Sequence, residues 1–199
     1  MNIAIIPARA GSKRIKNKNI INFFGKPLIY NSIKTAIDSK LFDEVIVSSD
    51  SEKIQNIAKK YGAKIYFKRP KKLSGDHCGT PDVIIHAIKW MKKNLYTPKF
   101  VCCIYPTAIF LDKKNLINAY KKIKTNMFDF VLAVNKFSHP PQRGFFLTNS
   151  KRIIFKKTKF YKYRTQDLNP MYHDAGQFCW GKTDSWLKNK KVFSKNSCV

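Results

Sequence analysis

Acidic residues are scarce in this chain. Twelve Asp and Glu stand against 39 Lys and Arg in 199 residues, a formal charge of +27. Such an excess draws polyanions through counterion release, yet arginine is scarce too. Only six of the basic residues are Arg (Arg9, Arg14, Arg69, Arg143, Arg152 and Arg164), and the 33 Lys are spread through nearly every segment. A reader of nucleic acid uses more of the planar, bidentate guanidinium, and the aromatics here follow core spacing instead of forming an exposed stacking platform. No nucleic-acid partner is expected. The lysines read as solvated surface, with attraction of small anions such as nucleotides and acidic sugars as the functional alternative.

Other absences narrow the class further. The five cysteines (Cys78, Cys102, Cys103, Cys179, Cys198) are odd in number, lack CxxC spacing and sit mostly in apolar runs, which argues for a reducing compartment and against structural zinc. No run approaches the ~18 apolar residues of a membrane span, and no charged leader precedes a long apolar stretch. A cytoplasmic protein without a membrane partner is expected. The phosphate-binding pattern GxxxxGK[ST] and the dinucleotide pattern GxGxxG are both missing.

What the chain does have is a hydrophobic content of 44%, enough to fill the core of one domain. Short apolar runs alternate with helical patterns. Strands are expected at Ile3 to Pro7, Glu44 to Ser48, Lys64 to Phe67, Phe100 to Ile104 and Asp129 to Val134. Helices are expected from Pro27, from about Ser51 up to Gly62, from Thr80-Pro81-Asp82 with Thr80 as the capping residue, and from Asp112 to Lys124. This alternation specifies an α/β fold, a mostly parallel sheet with helices on both faces. From Asn135 to about Tyr172 the chain turns rich in Pro, aromatics and Lys, with strand-like pieces at Phe145 to Leu147 and Arg152 to Phe155. This segment is expected to leave the sheet. A strand at Gln177 to Trp180 and a helix from Thr183 to Lys188 follow. Residues 1–199 read as one domain carrying a small lobe at 135–172.

The chemistry begins directly after the first strand, at Pro7-Ala8-Arg9-Ala10-Gly11-Ser12-Lys13-Arg14. Ligands of open α/β sheets bind beyond the carboxyl ends of the strands. Gly11 would let the backbone approach closely, amides and the Ser12 hydroxyl could donate to phosphate oxygens, and Arg9, Lys13 and Lys18 could neutralise them. A solvated turn is the competing reading of such a loop.

The longer string IIPARAGSKRIKNKN (Ile5 to Asn19) resembles the signature PARGGSK, followed shortly by KN, of the CMP-nonulosonic acid synthetase (acylneuraminate cytidylyltransferase) family, with Ala10 in place of its first Gly. Further matches follow in order: DEVIVSSDS (Asp43 to Ser51), FKRP with Leu73 and Asp76 after it, Thr80, YPTAIFL (Tyr105 to Leu111) and YRTQDLNPMYHDAGQFCWGKTD (Tyr163 to Asp184). Tyr105-Pro106-Thr107, Pro140-Pro141-Gln142-Arg143 and His173-Asp174-Ala175-Gly176-Gln177 resemble the pseudaminic acid branch.

The resemblance implies a nucleotide-diphospho-sugar transferase-like fold in which 135–172 is a dimerisation and sugar-binding lobe, hence a homodimer. It implies transfer of CMP from CTP to a nonulosonic acid with release of pyrophosphate, for surface glycan or flagellin glycosylation. Arg9, Lys13 and Lys18 would be the catalytic cations. With Ser12 they would hold the triphosphate, Gly11 would belong to the same nucleotide-binding set, Asn19 would support the loop and the nucleotide, and Arg69 and Thr80 would approach the cytosine and ribose. Tyr105, Gln142, Arg143, Arg164, Gln166, Asp167, His173, Asp174 and Gln177 would face the sugar. The resemblance also implies Mg²⁺, held in relatives by a DxD pair after a further strand. This chain has no DxD, so its metal ligands are unassigned. A weakly active or inactive nucleotide-binding relative, or a CMP-sialic or legionaminic acid synthetase, is the alternative.

Overall fold

A computed structural model describes residues 1–155 and 158–199. In chain order the elements are β1 (Asn2–Pro7), β2 (Asn22–Phe23), β3 (Lys26–Pro27), α1 (Ile29–Asp38), β4 (Glu44–Ser48), α2 (Glu52–Lys60), α3 (Thr80–Asn94), β5 (Phe100–Ile104), α4 (Lys113–Lys124), β6 (Phe130–Lys136), β7 (Phe145–Leu147), β8 (Ile153–Phe155), β9 (Tyr172–Lys182), α5 (Thr183–Leu187) and β10 (Ser197–Cys198). The main sheet runs β10-β6-β9-β5-β1-β4. β1 pairs in parallel with β4 and β5, β10 pairs in parallel with β6, and β9 runs antiparallel to β5.

The first strand shows why the sheet is covered on both faces. Ile3, Ala4, Ile5 and Ile6 are all buried, although alternate residues of a strand point to opposite faces. Ala4 and Ile6 join a cluster with Ile33 and Ala36 of α1, Ile54 and Ala58 of α2, and Leu116 and Ala119 of α4. On the other face α3 packs on β1, burying Val83, Ile84, Ala87, Ile88 and Met91. Gly181 of β9 is required by packing, because a Cβ there would lie 2.7 Å from the Phe130 ring and collide with the Trp186 indole, whose Nε1 donates to Val101 O at 3.2 Å.

Two compact units emerge, Met1–Ala133 with Gly176–Val199, and Val134–Ala175. In the second, β7 and β8 form an antiparallel hairpin. Phe145, Phe146, Leu147, Ile153 and Ile154 all remain exposed on it, and the Phe155 and Tyr161 rings meet edge to face with centroids 4.2 Å apart.

Several local expectations are corrected. Pro27 belongs to a two-residue hairpin, and α1 starts at Ile29. The run Lys64 to Phe67 makes only isolated bridges, Ile46 to Lys64 and Ser49 to Lys68, so it lies along β4 without a continuous ladder. Thr80 is the first helical residue of α3, and Gly79 caps it without a side-chain bond. Ser51 and Asp112, where helices are expected to begin, cap α2 and α4, accepting from Ile54 N at 3.4 Å and Lys114 N at 2.8 Å.

Candidate functional site

The carboxyl ends of β1 and β5 open onto a cavity of about 680 Å³ in the first unit. Among the described residues its wall carries Arg9, Lys13, Arg14, Lys18 and Arg69 against a single carboxylate, Asp76. Five cations facing one anion in a concave site concentrate positive potential, the setting in which a polyanion binds.

Each cation is positioned by local structure. The loop after β1 is tied to the end of β4, since Ala8 N donates to Ser48 O and Ala10 N to Asp50 Oδ1, both at 2.9 Å. Asp50 therefore acts as a loop anchor. Asn17 adopts a left-handed conformation (φ 55°), which asparagine tolerates, and starts the short 3₁₀ turn Lys18–Ile20 that places Lys18 and Asn19 on the wall. Asn19 is buried and its Nδ2 donates to Arg9 O at 2.9 Å, leaving Oδ1 buried without a hydrogen-bond partner. An unpaired buried acceptor beside a cavity suits a ligand donor.

Arg69 comes from the opposite wall and is only 4% exposed. Its Nε donates to Ser48 Oγ at 3.1 Å, its Nη2 donates to Ser48 O, and its backbone N donates to Ser49 O at 2.8 Å. Burial pushes its guanidinium below the ordinary value, and the Asp50 carboxylate partly offsets this. It remains a cation, aimed by the end of β4. Thr80 and Val83 bring the start of α3 to the same wall, and Tyr105 and Pro106 bring the end of β5.

Of the nucleotide residues expected from sequence, Arg9, Ser12, Lys13, Lys18, Asn19, Arg69 and Thr80 line this one cavity, and so does Tyr105 from the sugar set. Gly11 is not on the wall. A Cβ there would meet nothing within 4 Å, and its φ is not positive, so glycine is not demanded by the protein itself. The cavity also holds residues that sequence reasoning assigned no role: Arg14, Ile15, Leu73, Gly75, Asp76 and Cys78. Arg14 and Asp76 lay inside the quoted motifs, which was the available signal.

Most of the remaining sugar-set residues belong to the second unit. There Arg164 holds Asp167 through two bonds of 2.8 and 3.1 Å, and Arg143 donates to Thr165 Oγ1 at 3.1 Å and lies over the Tyr161 ring. Gln142 Nε2 donates to Asn169 O at 2.8 Å, and its Oε1 is buried without a partner. His173 packs on Phe137, its Nδ1 2.9 Å from Asp174 O, and Gln166 is exposed. Gln177, in the first unit, accepts from Tyr105 N through its carbonyl at 2.9 Å.

Residues 3–183 match the model of the protein family described as Cytidylyltransferase. The chain belongs to the cytidylyltransferase family. It is therefore a nucleotidyltransferase. It is 45% identical over 198 residues to a pseudaminic acid cytidylyltransferase of Campylobacter jejuni, covering 100% of this chain and 85% of that protein. It is 41% identical to a Helicobacter pylori protein named pseudaminic acid cytidylyltransferase and UDP-2,4-diacetamido-2,4,6-trideoxy-beta-L-altropyranose hydrolase, covering 98% of this chain and 37% of that one. Among solved structures, a CMP:2-keto-3-deoxy-manno-octonic acid synthetase complexed with CTP superposes with a TM-score of 0.70 at 15% identity, covering 98% of this chain and 79% of that one. At that identity the likeness shows the cytidylyltransferase fold alone. No helix among the described residues is long and apolar enough to cross a membrane.

Proposed function

We propose that this cytidylyltransferase transfers CMP from CTP to pseudaminic acid, as a cytoplasmic homodimer supplying surface glycan or flagellin glycosylation. The observation that carries the reading is the cavity, where seven residues expected to meet CTP gather with Tyr105 at the carboxyl ends of the parallel strands. In the reaction the anomeric hydroxyl oxygen of the sugar bonds to the α-phosphorus, the bond to the pyrophosphate oxygen breaks, and the hydroxyl proton leaves to solvent. Such a transfer asks mainly for positioning and for charge stabilisation around the phosphoryl oxygens. Arg9, Lys13 and Lys18 would meet the triphosphate with Ser12 donating, while Asn19 Oδ1, Arg69 and Thr80 would meet the nucleoside. Arg143, Arg164 or His173 would meet the sugar carboxylate. Gln142, Gln166, Asp167, Asp174 and Gln177 would meet its hydroxyl and acylamino groups.

Members of the family generally depend on a metal, and Mg²⁺ prefers a shell of oxygens. The side chains present do not fit a protein cage for it. Among the described residues no group of three or more His, Cys, Asp or Glu gathers, and both carboxylates near the loop are engaged, Asp50 by Ala10 and Asp76 by Arg9 and Lys13. The reading therefore rests on the chain's own cations.

Pyrophosphate release measured with CTP, Mg²⁺ and a panel of nonulosonic acids tests the assignment. Turnover with pseudaminic acid well above sialic and legionaminic acids is expected, and preference for either of the others would replace the sugar assignment. Arg9→Ala and Lys13→Ala should each cost at least ~2 kcal/mol of transition-state stabilisation, and near-parental turnover in both would sink the cleft assignment. The exposed apolar hairpin of β7 and β8 supports dimerisation. Light scattering should give a dimer that Ile154→Asp dissociates, whereas a monomer at micromolar concentration would refute it.

A further inference from the structure

The proposed reaction leaves the one carboxylate of the cleft without a task. Asp76 Oδ1 lies 2.8 Å from Arg9 Nη1, and Asp76 Oδ2 pairs with Lys13 Nζ. One carboxylate thus spans two cations assigned to the triphosphate, an oxygen to each, as a phosphate group would. The carbonyl of Ser74 adds a contact to the same Arg9 nitrogen at 3.4 Å. The side chain of Lys13 is 81% exposed, whereas those of Arg9 and Asp76 are each 33% exposed. Lys13 is therefore drawn to the rim by the pairing and not by packing. Residues 74–76 reach the cations from the segment between Arg69 and α3, so the contact bridges two walls of the cavity. Phosphate oxygens would compete with this carboxylate for those donors, because like charges brought close together repel.

We propose that Asp76 is an intramolecular stand-in for phosphate: it holds Arg9 and Lys13 in the nucleotide-free cleft, yields them to the triphosphate, and retakes them as pyrophosphate departs. The inference rests on the reading that this cleft takes CTP. Asp76 is then a positioning residue that lowers affinity for both the nucleotide and the leaving product. It keeps the two cations oriented between turnovers.

Calorimetric titration of the full chain with pyrophosphate, CTP and cytidine, using the wild type, Asp76→Asn and Asp76→Glu, tests this. Asp76→Asn is expected to bind pyrophosphate and CTP about 1.5- to 5-fold tighter, the range of a partly exposed ion pair. Cytidine, which has no phosphate, should bind as before, and Asp76→Glu should restore the weaker affinity. Product inhibition by pyrophosphate should strengthen by the same factor, and the gain should shrink in an Arg9→Ala background. A merely structural role would shift cytidine and CTP alike. Equal or weaker pyrophosphate binding by Asp76→Asn would overturn the inference. So would failure of both Asp76→Asn and Asp76→Ala to fold, because a displaceable contact cannot be essential to the fold. If the wild type binds CTP and no variant tightens, only this inference falls. If CTP binds to none of the proteins, the reading of the cleft falls with it.

Discussion

The two units hold their charged side chains by different means. In the first, the loop that carries Arg9 and Lys13 is fastened to the end of β4 through Ala10 N and Asp50, Arg69 is fastened to Ser48, and only the outer ends of Arg9 and Lys13 rest on a pair, with Asp76. In the second, Arg164 and Asp167 hold each other on the surface, and Arg143 leans on Thr165 and Tyr161. The backbone frame of the nucleotide cleft is therefore tied to the sheet, whereas the sugar-set residues of the lobe rest on local pairs that each contribute little. Substitution should damage the first unit through the fold and the second mainly through its ligands.

The largest effect is expected at Arg69. Arg69→Ala removes a buried cation together with its bonds to Ser48 Oγ and Ser48 O, so stability should fall by about 2–3 kcal/mol, and kcat/KM by at least tenfold. Chemical denaturation together with the pyrophosphate assay checks both, and an active variant of unchanged stability would break the contrast. Gly181→Ala should cost about 1–3 kcal/mol through overpacking against Phe130 and Trp186, read as a lower denaturation midpoint with KM for CTP unchanged.

Asp129 supplies a pH-dependent case within the first unit. Its carboxylate accepts from Ser185 Oγ at 2.8 Å and pairs with Lys190 at 2.9 Å. Burial opposes ionisation, but hydrogen bonds from Lys190, Ser185 and Lys182 outweigh it and hold the carboxyl far below the usual carboxylate range. A depressed folded-state value means stabilisation that is present above the unfolded value of about 4 and is lost as pH falls toward the folded one. Asp129→Asn should therefore lower the melting temperature at pH 7, with the difference from wild type shrinking steadily below about pH 4. A constant difference across that range would refute the ion-pair account. The smallest stability effect belongs to the lobe. Arg164→Ala should change unfolding free energy by less than about 1 kcal/mol while raising KM for the sugar and leaving KM for CTP unaltered. An unfolded variant would show that the lobe depends on this pair as heavily as the cleft depends on Arg69.

Much of this organisation was legible in the residues. Buried strands announce themselves as continuous apolar runs, and Ile3 to Pro7, Glu44 to Ser48 and Phe100 to Ile104 were placed within a residue of their ends. The loop after β1 was readable because small and basic residues follow a strand directly. Errors arose where tertiary geometry overrides local preference. Lys64 to Phe67 has strand composition, yet it touches β4 only at isolated points. Pro27 suits a helix start, but Phe24 and Gly25 both take positive φ and make a tight hairpin ahead of it. The pairing of Asp76 with Arg9 joins residues far apart in sequence, and no spacing rule reveals it. The strand β10 is two residues long and is defined by its neighbour β6, so no periodicity could mark it.

Strand β4 ends the sheet order, with only the bridged segment around Lys64 and Lys68 beyond it. Edge strands are ordinarily the first part of a sheet to fray. Here that edge also anchors both sides of the cleft, through Ser48 to Ala8 and Arg69 and through Asp50 to Ala10. Opening of β4 and occupancy of the cavity are consequently linked equilibria, since each momentary detachment disperses the cations a polyanion needs. A ligand bound there should slow amide hydrogen exchange along Val45 to Ser48, although those residues do not line the cavity, and the border of the sheet becomes a gauge of whether the cavity is filled.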